Sequence, residues 1–71
     1  MNTANNKRRR ESRKRIENAL VKLLQQRKLS QISVTDICKE AEVNRTTFYA
    51  NYIDIFDLAE AVQNRLEEEV W

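Results

Sequence analysis

The sequence predicts an all-α domain: a three-helix bundle followed by the start of a fourth, linking helix. Three observations point there. The 71 residues contain no proline and no glycine, so tight β-hairpin turns lack their usual residues and nothing breaks a helix. Apolar positions recur at helical offsets instead of alternating. The length suits one small domain, with 41% hydrophobic and 34% charged residues, the balance of a small soluble globule.

Helix 1 is expected over about residues 12–27, with Ser12 as its candidate cap. Ile16, Ala19, Leu20, Leu23 and Leu24 fall at offsets 0, 3, 4, 7 and 8, one face of a helix. Residues 1–6 are polar and expected to fray. The segment Leu29-Ser-Gln-Ile32 is a connector whose apolar ends should tuck into the core. Ser33 is the expected N-cap of helix 2, about 34–41, with Asp36 in its first turn where a negative charge favours the helix dipole. Val34, Ile37, Cys38 and Ala41 point inward. After Glu42-Val43, Asn44 caps helix 3, about 45–51, which turns Phe48 and then Tyr52 to the core. Asp54 caps helix 4, from about 55 onward, with Phe56, Ala59, Val62 and Leu66 on one face.

Phe48, Tyr52 and Phe56 would form a core stripe of aromatics, and Cys38 a small buried packing residue. Glu67, Glu68 and Glu69 oppose the dipole at the end of helix 4, and no Gly or Asn cap follows. The expectation is that this helix continues in a longer protein. The glutamates would form a solvated face of a linking helix, and Trp71 would be a remnant of a missing interface.

Composition excludes several chemistries. There is no histidine and one cysteine, so no ordinary zinc or thiol–imidazole site can be built. No carboxylate pair lies in an apolar setting and the chain leaves little room for a cleft, so neither an enzyme nor a cofactor is expected. The lone cysteine excludes an internal disulfide and fits a reducing, cytoplasmic setting. No apolar run exceeds three residues, as in Ala19–Val21, so no membrane span or signal peptide is expected.

The net charge of +2 conceals an asymmetry. Residues 1–15 carry seven basic residues against Glu11, a balance of +6. Residues 16–53 carry five basic and four acidic residues, and residues 54–71 carry six acids against Arg65, a balance of −5. A basic arm over 1–11 therefore precedes a mixed domain over 12–54 and an acidic helix over 55–71, an arrangement with one face for a polyanion.

Helices 2 and 3, joined by three residues, have the form of a helix-turn-helix. Helix 3 shows Arg45, Thr46, Thr47, Tyr49, Ala50 and Asn51 outward, a short surface rich in donors. A DNA-reading helix sets its N-terminal residues on base edges in the major groove. Arg45 suits a bidentate contact to guanine and the threonine methyls suit thymine methyls. Tyr49 and Asn51 suit phosphates, as do Ser33 and Thr35 at the N-terminus of helix 2. Lys14 and the arm would add phosphate contacts or reach a minor groove. A protein-interaction or adaptor module on the same fold is the alternative, allowed by the acidic last third.

Residues 13–62 resemble the N-terminal DNA-binding domain of the TetR family of transcriptional regulators. The matching pieces are Ile16-x-x-Ala19 with Leu23-Leu24, Ile32-Ser-Val-Thr-Asp-Ile37, Ala41-Glu-Val-Asn-Arg-Thr-Thr-Phe-Tyr49 with Tyr52, and Asp57-Leu58. The block Val43–Tyr49 is the most specific. The resemblance implies double-stranded operator DNA as partner, repression as the usual sense, and a cytoplasmic, nucleoid-associated bacterial setting. It also implies a homodimer for the full-length protein and a small-molecule effector bound in a further C-terminal domain. By position it makes Arg45, Thr46 and Thr47 the base readers, with Tyr49, Asn51, Ser33 and Thr35 at phosphates or the groove edge. Three positions depart from the family's pattern. Glu42 and the neighbourhood of Lys28 stand where glycine is usual, at a cost of roughly 1 kcal/mol each if the backbone there is left-handed. Ile55 stands where a phosphate-clamping lysine is common.

Overall fold

The computed structural model describes the backbone of residues 3–69 and the surroundings of side chains 7–65. Over these residues the chain is all-helical, with four α-helices and no strand: α1 (Thr3–Leu24), α2 (Val34–Ala41), α3 (Arg45–Asn51) and α4 (Ile55–Glu69). The expectations for Leu66, for the glutamate side chains of 67–69 and for Trp71 lie outside the described residues.

α1 is the beam on which the other three helices rest; it touches α2, α3 and α4. Its buried stripe is Ile16, Ala19, Leu20 and Leu23. Two corrections apply to it. The helix begins nine residues before Ser12, so most of the expected arm is helical. Lysine, arginine and glutamate are good helix formers, and Thr3–Glu11 contains no residue that would break the helix. It also ends at Leu24, three residues early, where Arg27 N donates to Leu23 O (2.9 Å) and the chain passes into a 3-10 turn over Leu29–Gln31. Leu24, just at that end, is 42% exposed and outside the core.

The two short helices have the expected bounds, and their caps explain why. Ser33 Oγ accepts from Asp36 N (3.1 Å) while the Asp36 carboxylate accepts from Ser33 N (3.0 Å), a reciprocal cap on α2. Asn44 Oδ1 accepts from Thr47 N (2.8 Å) at the start of α3. Ile37, Cys38 and Ala41 from α2 meet Phe48 and Tyr52 in one core that Ile32 also enters. Between the helices Glu42 takes φ 58° and ψ 44°, left-handed, and its neighbour Val43 donates from N to Cys38 O (3.0 Å). This is the non-glycine cost anticipated at Glu42. Lys28 has φ −77° and ψ 155°, ordinary extended backbone that needs no glycine.

Asp54 Oδ1 accepts from Asp57 N (2.8 Å) at the head of α4, and Asp57 accepts from Ile53 N (2.9 Å). The inward face of α4 keeps two of the expected residues, Val62 and Ala59, but not Phe56. Leu58 is fully buried and Val62 nearly so, with Ile55, Ala59 and Ala61 packed against them. Phe56 is 68% exposed. The helical register restarts after the break at residues 52–54, so the stripe of Phe48 and Tyr52 does not continue to Phe56. Among the described residues no helix is long and apolar enough to cross a membrane.

Candidate functional site

α3 is seven residues long, too short to hold itself together in water. Its orientation comes from three anchors. Asn44 caps its front, Phe48 is completely buried on its inner face, and Tyr52 N–H closes its end on Phe48 O (2.9 Å). Tyr52 is itself tied down. Its hydroxyl donates to Glu17 Oε2 (2.7 Å), and Arg65 Nη1 donates to Glu17 Oε1 (3.0 Å). One carboxylate on α1 thus joins the end of α3 to the middle of α4. Burial raises the Tyr52 pKa, and the adjacent Glu17 carboxylate raises it further.

With the inner face anchored, the outer face is determined. Arg45, Thr46 and Ala50 are exposed, Thr47 and Asn51 half-buried. Tyr49 is half-exposed, its ring edge-on to Phe48 at 5.1 Å and 81°. Asn51 Nδ2 donates to Thr47 O (2.9 Å), which commits one amide hydrogen to the helix and leaves the other for a ligand. Burial pushes the Cys38 thiol pKa up, and the Arg45 charge offsets part of that.

Across from this face lies α1. Arg8, Arg9 and Ser12 form one wall of an open groove of about 330 Å³, and Thr46, Thr47 and Asn51 line the other. Ala50, which also lines it, adds no bulk. Among the described residues no carboxylate lines this groove. Two other surface depressions do have acidic linings: Glu40 and Glu42 in one beside Arg15 and Lys22, Asp36 and Glu40 in another beside Arg27 and Lys39.

Sequence reasoning counted Arg8 and Arg9 only as part of a charged arm and missed their place. The signal was present. Ser12, Arg9 and Arg8 stand four, seven and eight residues before Ile16, so they prolong the buried stripe of α1 past the end of the core. The stripe turns from apolar to basic and so overhangs α3. Lys14, the basic residue singled out on helix 1, is exposed but two positions from Ile16. At roughly 100° per residue that places it on the opposite side of α1, away from the groove.

The N-terminus of α2 has a different character from the expected bare positive end. Ser33 and Thr35 are exposed there, yet the Asp36 carboxylate already occupies it and pairs with Arg27 Nη1 at 3.2 Å. The Ser33 hydrogen bonds hold Asp36 below the usual carboxylate range, with Arg27 contributing. An anion arriving at Ser33 would meet a charge of its own sign. Ile55, where a lysine clamp is common in the resembled family, is half-buried against the core.

Comparison with models of protein families, with curated proteins and with solved structures finds no match to this chain.

Proposed function

We propose that this chain is the sequence-specific DNA-binding domain of a TetR-like transcriptional regulator, with α2 and α3 acting as a helix-turn-helix. The observation that carries the reading is the outer face of α3: Arg45 and Thr46 exposed at its N-terminal end, on a helix anchored by Asn44 and the buried Phe48. A helix with its side chains is about 10–12 Å across, and the major groove is about 12 Å wide, so the fit is close. Arg45 reads a guanine edge, Thr46 and Thr47 touch thymine methyls, and Tyr49 and Asn51 meet the backbone. The full-length protein binds its operator as a homodimer, represses, and takes a small-molecule effector in a further domain.

The test begins with selection of a preferred duplex from a random library, followed by affinity measurements against salt. Arg45→Ala is expected to cost about 1–3 kcal/mol on the selected duplex and to relax preference at one base position. An equal loss on every duplex would make Arg45 a phosphate contact. Absence of duplex binding even at low salt would overturn the whole reading. It would favour a protein partner, for which the 81% exposed Ile53 and 68% exposed Phe56 offer an apolar contact.

A further inference from the structure

The geometry points to a seat for one sugar–phosphate strand between α1 and α3, with Arg8 and Arg9 as a phosphate clamp. This inference rests on the DNA-binding reading above and extends it to residues 8–12, which precede the stretch that resembles the family.

The clamp follows from where the charges sit. Seven basic residues lie within residues 7–15, and most are spread around α1. Arg8 and Arg9 are the pair among them that lines the groove facing Thr46 and Thr47. Ser12 lies one turn further along the same wall and adds a hydroxyl. The opposite wall adds the Asn51 amide, and among the described residues no carboxylate lines the groove. Arginine suits such a place because its planar fork bonds two phosphate oxygens at once.

The helical state of residues 3–11 also decides between two modes of contact. An extended arm can thread a minor groove. A helix about 10–12 Å across cannot enter one about 6 Å wide. α1 must therefore ride on the backbone that borders the major groove occupied by α3. One strand then passes between the two helices, and the arginines fix how deeply α3 sits.

The probe is a mixed-sequence DNA duplex of about two helical turns, titrated at several salt concentrations. Each phosphate contact contributes about 0.9 to the slope of log affinity against log salt. Arg8→Ala/Arg9→Ala is expected to lower the slope by about 2. Its loss of affinity between roughly 50 and 200 mM salt should then be about tenfold smaller than that of the unchanged protein. Lys7→Ala/Lys14→Ala removes the same charge from the far side of α1 and is expected to change the slope by less than half as much. Alanine favours helix, so α1 should keep its helical circular dichroism in both variants. Equal slope changes in the two variants would overturn the clamp while leaving DNA binding intact. An unchanged slope in the arginine variant would do the same. Failure of the unchanged protein to bind the duplex would overturn the functional reading itself.

Discussion

α3 has seven residues, a side-chain cap, a fully buried phenylalanine and a closing hydrogen bond. Along the front of α1, by contrast, no side chain from Lys7 to Arg15 is buried. Both segments are helical, for different reasons. α3 is held by tertiary packing, because so short a helix gains too few backbone bonds to offset nucleation. The front of α1 is held by propensity and by continuation from the packed turns behind it. The two lie face to face across the groove, so a surface anchored in the core opposes one with no buried side chain of its own. That pairing suits a ligand read by one wall and merely held by the other.

The largest effect should come from removing the anchor of α3. Phe48→Ala is expected to cost about 3–5 kcal/mol, a large part of what a domain this small has. Urea unfolding should show a midpoint collapsed toward zero denaturant. A loss below about 1 kcal/mol would mean that α3 is not held as described.

Tyr52→Phe removes the hydroxyl donor to Glu17 and is expected to cost about 1.5–3 kcal/mol, as for a hydrogen bond to a charged group. Its pH dependence is diagnostic. The Tyr52 pKa in the folded protein lies above the ordinary value of 10.0. The unfolded chain therefore loses this proton first as pH rises. The contribution is complete below pH 10 and declines as pH climbs toward the folded value. Stability curves of the two proteins should converge in strong alkali; parallel curves would place the phenol outside the network.

Glu42 and Lys28 separate backbone strain from sequence expectation. Glu42→Gly relieves a left-handed residue and should raise stability by about 0.5–1 kcal/mol. Lys28→Gly only loosens the unfolded chain and should lower stability by a similar or smaller amount. Thermal melts would resolve both, since about 1 kcal/mol moves the midpoint by roughly 4–8 °C at this size. Identical signs would contradict the two backbone conformations.

The smallest global effect belongs to the front of α1. Arg10→Gly should reduce helical circular dichroism, yet shift the unfolding midpoint by less than about 0.5 kcal/mol, because that segment frays apart from the core. A full 1 kcal/mol loss in global stability would join it to the cooperative unit and erase the contrast with α3.

Helices 2 and 3 were readable to the residue because capping is local chemistry: Ser33 with Asp36 and Asn44 with Thr47 bond within one turn. The apolar spacing of Ile16, Ala19, Leu20 and Leu23 identified the buried face of α1 by the same locality. The left-handed turn at Glu42 was anticipated only through the resemblance, since glutamate carries no sign of it.

Other features depended on contacts between residues far apart in the chain. The register of α4, with Leu58 inward and Phe56 outward, depends on how the chain re-enters the core after residues 52–54. Glu17 bridges Tyr52 and Arg65, 35 and 48 positions away, a distance no periodicity spans. The groove itself exists because polar residues prolong the buried stripe of α1 beyond the core and α3 happens to lie beneath them. Caps and amphipathic faces are written in neighbouring residues and need no partner to be legible. Which surfaces oppose each other is set by the joint packing of all four helices, and only the folded chain contains that information.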